Sequence, residues 1–340
     1  MIESAKKNEL LDPDFQEEET ELEIGLRPVS FAEYIGQNEV KKNMMIYVEA
    51  AKNRCEPLDH VLIYGPPGLG KTTLAGVLAK EMEVNFKITA GPALARTGDL
   101  ASILTNLKAN DFLFIDEIHR LSKNVEEVLY TAMEDFAVDI VIGKGPAAKT
   151  VRLNLEPFTL VGATTKIGSL SGPLRDRFGV VERLDFYENA DIEDILRKSA
   201  DKLNVKYEKD VLEKIAKCCR GTPRVANRIL KRLRDFAQVK GTGVLTNDVV
   251  VIGLKSLGVD ELGLNVYDRF LLSCMIEKFG GGPVGLDTLA ATTSEDRETI
   301  ESVSEPYLLR LGLIEKTHRG RKVTEQGRRL VEKAKNFSKN

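Results

Sequence analysis

The chain has 340 residues, 42% of them apolar, and its 49 Lys and Arg against 52 Asp and Glu give a net charge of -3. These values exclude a wholly disordered chain, and the length suffices for two or three domains that each bury a core. No apolar run approaches the length of a membrane span and the N-terminus has no basic, apolar leader, which predicts a cytosolic protein without membrane partners. Four scattered cysteines predict neither disulfides nor a zinc site.

The charge is distributed unevenly along the chain. Residues 1–23 hold Lys6 and Lys7 against nine acids, a local charge of -7, which predicts an acidic disordered tail. Residues 310–340 hold ten Lys and Arg against three Glu, a local charge of +7. A basic segment of this kind is typical of a solvated helix face unless its pattern indicates a more specific role.

Residues 24–184 have the pattern of an α/β domain. Short apolar runs at 60–64, 112–115 and 158–162 alternate with amphipathic stretches. Continuous apolar runs are typical of strands buried on both faces, and their alternation with helices requires crossover connections. The pattern therefore predicts a mostly parallel sheet.

Two smaller domains are predicted after it. Residues 185–258 carry apolar side chains at spacings of three and four, which predicts a small all-α domain. Residues 259–340 combine helical patterns with a glycine-rich turn at 280–282 and a possible hairpin near the end. They form the third predicted domain.

A phosphate-binding loop is predicted at residues 65–72, where the sequence reads GPPGLGKT and fits GxxxxGK[ST]. The apolar run Val61 to Tyr64 precedes it and a helical stretch follows it, which is the context that this motif requires. Glycines let backbone N–H groups close around phosphate, Lys71 reaches the β and γ oxygens, and Thr72 ligates Mg²⁺. ATP, its product ADP and Mg²⁺ are therefore the predicted cofactors.

A pair of acids at the end of the next apolar run completes this prediction. Asp116 is expected to hold Mg²⁺, usually through water, and Glu117 to orient and deprotonate the attacking water. A protein that only bound nucleotide would not need Glu117, so its presence favours hydrolysis. His119 completes the string DEIH of DExH-box helicases, although a histidine at the start of a helix is more often a packing or capping residue.

Longer strings connect these motifs to a family. The chain resembles the AAA+ ATPases and, within them, the RuvB family of Holliday junction branch-migration motors, over about residues 24–325. The fold that this implies is an AAA+ P-loop domain with a parallel sheet, a small all-α lid domain and a C-terminal winged-helix domain. The strings that carry the resemblance are LRP at 26–28, YIGQ at 34–37, LFIDEIHRL at 113–121, AMEDF at 132–136, DIVIGKGP at 139–146, GATT at 162–165, LRDRFG at 174–179, RGTPR at 220–224 and GGGPVGLDTLA at 280–290.

The resemblance also implies roles for single residues. Thr165 is similar to the sensor that touches the γ-phosphate or the water, and Arg224 to a second sensor that closes the lid over the nucleotide. Arg177 is similar to the arginine finger that reaches the γ-phosphate of a neighbouring subunit, with Arg175 as the competing candidate. The other residues that the resemblance assigns to cofactor binding are Leu26, Arg27, Gly68, Gly70, Thr73, Glu134, Asp135, Phe136 and Tyr187.

An arginine lent in trans makes turnover depend on assembly, and the family forms homohexameric rings. Residues 137–153 contain two β-prone runs around a loop and predict a hairpin that projects Ile140 and Ile142. In the family this hairpin docks on RuvA, the junction-binding tetramer, and RuvC is an indirect partner. A hairpin packed against its own domain is the alternative.

The basic C-terminal segment has the order helix, strand, basic turn and strand, which is the outline of a winged helix. On this interpretation Arg297, Lys316, Arg319 and Arg321 lie beside the phosphates of double-stranded DNA. Phosphate contacts give affinity without sequence preference, which suits a motor that tracks any sequence. A winged helix that serves only as a scaffold is the alternative.

The predicted function is that of an ATP-hydrolysing DNA motor that drives branch migration of Holliday junctions in recombination and repair. An initiator-like binding switch also joins an AAA+ module to a winged helix, but it loads partners and does not translocate; the hairpin at 137–153 favours the motor. A protein-remodelling ATPase would thread its substrate past an aromatic pore residue, and the sequence offers no convincing aromatic-glycine pore loop.

Overall fold

The computed structural model describes residues 25–142 and 149–337. The predicted acidic tail at 1–23 and the tip of the predicted hairpin lie outside the described residues. The described residues divide into two compact units, one formed by Arg27–Asp185 and the other by the residues from Phe186 onward together with Gly25 and Leu26.

A five-stranded parallel sheet forms the centre of the first unit. Its strands are β1 (Val61–Tyr64), β2 (Phe86–Ala90), β3 (Phe112–Asp116), β6 (Thr159–Thr164) and β7 (Val180–Arg183). They lie in the order β2-β3-β6-β1-β7. The three central strands are buried on both faces, which explains their continuous apolar runs and confirms the predicted α/β fold.

Helices cover the sheet of the first unit. They are α1 (Asn38–Arg54), α2 (Lys71–Met82), α3 (Thr97–Leu104), α4 (Lys123–Asp135) and α5 (Gly172–Arg175). Leu104, Leu129 and Leu174 from three of these helices pack with Leu113 and Phe158 in one apolar core. This core joins α4 and α5 to the sheet, so it also fixes the loops that follow the strands.

The predicted hairpin is formed by β4 (Ala137–Ile142) and β5 (Lys149–Asn154), which pair antiparallel directly after α4. The expectation that Ile140 projects from the domain is wrong, because its half-buried side chain packs against the core of the first unit. The side chain of Ile142 lies outside the described part of the chain. The exposed apolar residues of the hairpin are instead Val151 and Leu153 on β5.

Four helices and a pair of two-residue parallel strands follow in the second unit. The helices are α6 (Asn189–Lys202), α7 (Val211–Lys217), α8 (Pro223–Lys240) and α9 (Asn247–Leu257), and the strands are β8 (Lys206–Tyr207) and β9 (Val244–Leu245). Buried residues at spacings of three and four, such as Ile192 and Leu196 or Ile229 and Leu233, line the helix contacts.

The rest of the second unit is a winged helix. Its elements are α10 (Val266–Phe279), α11 (Leu286–Thr293), α12 (Arg297–Thr299), a π-helical turn at Ile300–Ser304, α13 (Glu305–Arg310), β10 (Ile314–Thr317), β11 (Gly320–Val323) and α14 (Glu325–Phe337). The strands β10 and β11 form an antiparallel hairpin, and Val284 pairs with Arg321 along its edge. A Cβ at Gly320 would lie 2.3 Å from the carbonyl oxygen of Val284, so this contact requires glycine.

Candidate nucleotide-binding and catalytic site

The loop after β1 has a backbone that only glycine adopts without strain. Gly65, Gly68 and Gly70 have φ angles of 145°, 75° and 89°. A Cβ on Gly65 would lie 2.3 Å from the carbonyl oxygen of Leu184. Lys71 begins α2, and its Nζ donates to two carbonyl oxygens of the loop at 2.9 and 3.0 Å. A cation at the N-terminus of a helix, inside a turn of backbone N–H groups, is a site built for phosphate.

The acidic pair at the end of β3 is held in a strained conformation. Asp116 is the last residue of β3, and its Oδ1 accepts a hydrogen bond from the backbone N–H of Glu117 at 2.9 Å. Glu117 has a φ of 49°, in the left-handed region that residues other than glycine rarely adopt. A Cβ at Gly91 would lie 2.5 Å from the carbonyl oxygen of Glu117, so a neighbouring turn packs tightly on this backbone.

His119 links this acidic pair to strand β6. Its Nδ1 lies 2.9 Å from Oγ1 of Thr164 and 3.4 Å from Oε2 of Glu117. Thr164 is fully buried, and its Oγ1 also accepts from the backbone N–H of Lys166 at 3.0 Å. From the sequence, His119 could be a DExH-box residue or a packing residue, and Thr164 was not predicted as a site residue. No local signal connects them, because they are far apart in the chain and meet only through the pairing of β3 with β6.

These groups meet at one edge of the sheet. Strand β6 lies between β3 and β1 and is parallel to both. The carboxyl ends of parallel strands share one edge, so Thr165, which follows β6, lies between the acidic pair and the phosphate loop. The backbone N–H of Gly65 donates to the carbonyl oxygen of Thr164 at 3.2 Å and joins the loop to β6. We call residues 65–72, 116–117 and 165 the nucleotide edge.

The two candidate finger arginines have different surroundings. The side chain of Arg175 is 51% exposed and lies 3.9 Å from Asp176. The side chain of Arg177 is 23% exposed and ion-paired with Glu134 at 3.0 Å. Its NH1 also donates to the carbonyl oxygen of Pro173 at 2.7 Å. Arg177 is therefore held by two close contacts, whereas Arg175 is more exposed and its ion pair with Asp176 is longer.

Asp135 and Phe136, which follow Glu134 and were also predicted to bind the cofactor, lie in different surroundings. Asp135 is exposed and accepts a hydrogen bond from Arg152 of β5 at 2.7 Å. Phe136 ends α4 in the left-handed region and packs its ring against His60 and Phe158. Phe136 therefore supports the domain core, whereas Asp135 lies at the surface.

Two residues predicted to bind nucleotide lie together in the second unit. The backbone N–H of Tyr187 donates to the carbonyl oxygen of Gly221 at 2.9 Å, and Arg224 is the second residue of α8, half-buried in the same segment. The neighbouring Arg220 is buried and ion-paired with Asp268 of α10. This segment is therefore tied directly to the winged helix. Leu26 and Arg27, predicted to bind on the base side, are both half-buried.

Family models match three consecutive segments of the chain. The model described as the Holliday junction DNA helicase RuvB P-loop domain matches residues 26–184, the RuvB AAA lid domain matches 187–260 and the RuvB C-terminal winged helix domain matches 261–332. Together they cover most of the chain. The chain belongs to the RuvB family.

Solved structures of RuvB from Thermotoga maritima agree with this assignment. The structure described as the RuvB Holliday junction branch migration motor is 47% identical, covers 91% of this chain and 98% of that chain, and has a TM-score of 0.82. A variant with a proline replaced by glycine is 47% identical over 90% of this chain and 98% of that chain, with a TM-score of 0.83. Membership of the RuvB family makes the chain a P-loop ATPase of the branch-migration type, so the initiator-like alternative is not supported.

The predicted DNA-binding residues of this chain differ in exposure. The side chains of Lys316 and Arg321 lie 3.4 and 2.8 Å from Glu305 of α13, which is buried. Arg321 is only 11% exposed, whereas Lys316 is 58% exposed. Arg319 is exposed at the turn between β10 and β11, and Arg297 is exposed but paired with Asp287 at 3.0 Å. Arg321 is thus an internal residue of the wing, whereas Arg319 is exposed at its turn.

Two absences in the described part of the chain concern metals and membranes. Among the described residues, no three His, Cys, Asp or Glu side chains converge to form a metal-binding group of their own. None of the described helices combines the length and the apolar character that crossing a lipid bilayer requires.

Proposed function

We propose that this RuvB-family chain is the ATP-hydrolysing subunit of a homohexameric ring that encircles double-stranded DNA and is coupled to RuvA. One observation carries the proposal. Three neighbouring parallel strands bring a phosphate loop, two carboxylates and a threonine to one edge of the sheet. These are the groups that one subunit needs for hydrolysis of a phosphoanhydride.

In this proposal each group of the nucleotide edge has one task. The loop N–H groups, including those of Gly68 and Gly70, bind the phosphates together with Lys71 and the start of α2 at Thr73. Glu117 takes a proton from water while the water oxygen bonds to the γ-phosphorus. The bond from phosphorus to the bridging oxygen then breaks and leaves ADP and phosphate. Thr165 orients the water or the γ-phosphate.

Mg²⁺ fits the donor set at this edge. The Thr72 hydroxyl and the Asp116 carboxylate are oxygen ligands, which Mg²⁺ prefers. Mg²⁺ also keeps several waters and takes one or two protein ligands with substrate phosphates, so it needs no cage of protein side chains. When bound it would neutralise charge on the β and γ oxygens.

The arginine roles follow from the resemblance and gain support from the Thermotoga maritima variants. The described substitutions there replace a proline, a lysine, an alanine, a threonine and an arginine. One constant difference in numbering converts all five positions to residues of the same type in this chain, namely Pro223, Lys71, Ala163, Thr165 and Arg177. This correspondence favours Arg177 over Arg175 as the finger.

We assign the remaining contacts of the ring as follows. Leu26, Arg27, Tyr187 and Arg224 contact the nucleotide from its base side and the lid, and Glu134 and Asp135 lie at the seam between copies. The hairpin 137–153 docks on RuvA through apolar residues of β5 such as Val151, and RuvC acts indirectly on the same junction. The winged helix contacts DNA phosphates with Arg319, Lys316 and Arg297, while Arg321 holds the wing in place.

The finger assignment is tested by Arg177→Ala, with Arg175→Ala as the matched control. We expect Arg177→Ala to lower ATP turnover on DNA by about 10³- to 10⁵-fold, because the charge that stabilises the transition state is lost. Arg175→Ala should change turnover far less, and both variants should still bind nucleotide. Equal loss in the two variants, or loss in Arg175→Ala alone, would reject Arg177 as the finger.

The assembly and docking assignments have a separate test. Native mass spectrometry with ATP and duplex DNA should give a species of six copies. Deletion of residues 140–151, which spares the ends of the hairpin, should abolish co-elution with RuvA and leave DNA-dependent ATP turnover in place. RuvA binding that survives the deletion would exclude the hairpin as the docking element.

A further inference from the structure

Helix α4 carries a row of three polar residues on the face that meets residues 171–177, which we call the finger segment. Glu126, Tyr130 and Glu134 are spaced by four residues, so their side chains lie one above another on the helix. The finger segment, which contains α5 and Arg177, packs against this face. Every member of the row contacts this segment through Ser171 or Arg177.

The first part of the contact is a triangle of oxygen atoms. Oη of Tyr130 lies 3.1 Å from Oε2 of Glu126 and 2.9 Å from Oγ of Ser171, and Oγ of Ser171 lies 2.7 Å from the same Oε2. The two hydroxyl groups have one hydrogen each, and the carboxylate of the buried Glu126 accepts both. Ser171 also caps α5 by accepting from the backbone N–H of Leu174 at 3.3 Å. The triangle therefore fixes the start of the finger segment.

The second part of the contact is the guanidinium itself. The Cζ atom of Arg177 lies 4.5 Å from the centroid of the Tyr130 ring, over its face. Its NH2 pairs with Glu134 at 3.0 Å. Its buried Nε has no hydrogen-bond partner among the described residues. One group of Arg177 is thus left unsatisfied while the ring beneath it fixes the plane of the guanidinium.

We propose that Tyr130 is a positioning residue for Arg177. The ring face of Tyr130 supports the guanidinium, and its hydroxyl, which donates to Glu126, fixes the ring. The guanidinium is thereby held in a fixed orientation before the neighbouring copy binds. Within the described part of the chain, the hydrogen bonds and ring contact of Tyr130 go to Glu126, Ser171 and Arg177, which lie outside the nucleotide edge. This inference rests on the proposed function, since it requires that Arg177 acts on the site of an adjacent copy.

Two substitutions separate the ring from the hydroxyl. Tyr130→Ala should lower ATP turnover of the assembled ring by about ten- to a hundredfold, the range expected for misplacement of a catalytic group. Tyr130→Phe keeps the ring and loses only the triangle, so its loss should be smaller than that of Tyr130→Ala. Tyr47→Phe on α1 is the matched control and should keep the parental rate. Full turnover by Tyr130→Ala would overturn the proposal.

Mixed rings distinguish a finger effect from general damage. A Lys71→Ala subunit has a silent site and an intact finger, whereas Tyr130→Ala should have an intact site and a poor finger. Mixing the two should restore turnover, because intact sites then receive intact fingers. Mixing Tyr130→Ala with Arg177→Ala should restore nothing, because both lack a working finger. A subunit damaged in its fold or in its own site would not be rescued by Lys71→Ala.

The mixture of Arg177→Ala with Lys71→Ala tests the underlying function. If this pair recovers turnover and the pair of Tyr130→Ala with Lys71→Ala does not, the finger acts in trans and the role of Tyr130 is refuted. If neither pair recovers, the trans finger itself is refuted and the role of Tyr130 falls with it. Nucleotide binding of Tyr130→Ala, measured alongside, should match the parent, whereas its thermal unfolding midpoint should fall because the ring also packs against the core of the first unit.

Discussion

The nucleotide edge and the wing both carry basic residues that the sequence assigns to phosphate, but the structure treats them differently. Lys71 directly follows the glycines of its loop and is the first residue of helix α2. In the wing, Arg321 is held by Glu305, which lies on another element. The first cation is positioned by its immediate neighbours in sequence, and the second by a distant partner.

This difference shows when the sequence around a basic residue is enough to predict that the residue binds phosphate. A phosphate loop is a backbone conformation, and a contiguous string of glycines encodes it together with its lysine. A basic side chain on a hairpin has no such restraint, because a buried carboxylate elsewhere in the domain competes for it. Charge patterns therefore predict a phosphate contact less securely than backbone motifs do.

Lys71→Ala should have the largest effect. The substitution removes the only group of the loop that carries a full positive charge, so ATP binding and turnover should both be lost, the latter by at least the roughly 10³- to 10⁵-fold expected for loss of the arginine finger. Fluorescent nucleotide binding and ATPase assays measure the two. If the variant bound nucleotide as tightly as the parent, the backbone of the loop alone would suffice for phosphate binding. The contrast between Lys71 and the cations of the wing would then be wrong.

Glu117→Gln should separate binding from chemistry. The amide keeps the size of the side chain but cannot accept the proton of water, so turnover should fall by about 10²- to 10⁴-fold while ATP affinity stays close to the parent. Calorimetric titration and single-turnover hydrolysis check the two parts. Hydrolysis at the parental rate would show that another group is the base.

Arg321→Ala should destabilise the winged helix more than it weakens DNA binding. Removing one partner of a buried ion pair leaves Glu305 uncompensated, which typically costs roughly 3–5 kcal/mol, and the lower end applies because Lys316 stays near the same carboxylate. The exposed Lys322→Ala on the same strand should change stability by less than about 0.5 kcal/mol. Denaturant unfolding of the full chain measures both. Equal stability of the two variants would contradict the internal role of Arg321.

Arg319→Ala should have the smallest effect, confined to DNA. The exposed side chain contributes little to stability, but loss of one phosphate contact should weaken duplex binding for all sequences and reduce the salt slope by about 1. Arg197→Ala on lid helix α6 removes a comparable exposed arginine and serves as the control. An unchanged salt slope in Arg319→Ala would place the turn of the wing away from DNA.

The sequence predicted much of the fold because its signals are local. Apolar runs predicted the parallel strands, spacings of three and four predicted the lid helices, and the basic turn predicted the hairpin of the winged helix. The expectation that Ile140 projects failed for the opposite reason. Alternation along a strand shows that two faces differ, but not which face meets the core of the domain.

The candidate site was also predictable only where its signals are local in the sequence. The residues in contiguous motifs, Lys71, Asp116 and Glu117, could be assigned because each motif contains both a strand end and its functional group. Thr164 beside His119, and Tyr130 beneath Arg177, could not be assigned, because the partners lie on separate elements. Periodicity marks Tyr130 only as one residue of a helix face.

The amino-acid sequence by itself determined the RuvB-like strings, the phosphate loop with its lysine and the order of sheet, lid and winged helix, since each depends on residues close together in the chain. Tertiary structure alone decided that β6 lies between β1 and β3, that Glu305 holds Arg321, and that Glu126, Tyr130 and Ser171 support the segment of Arg177. The physical reason is that hydrogen bonds, ion pairs and ring contacts depend on distance in space, and only packing brings such distant residues within reach.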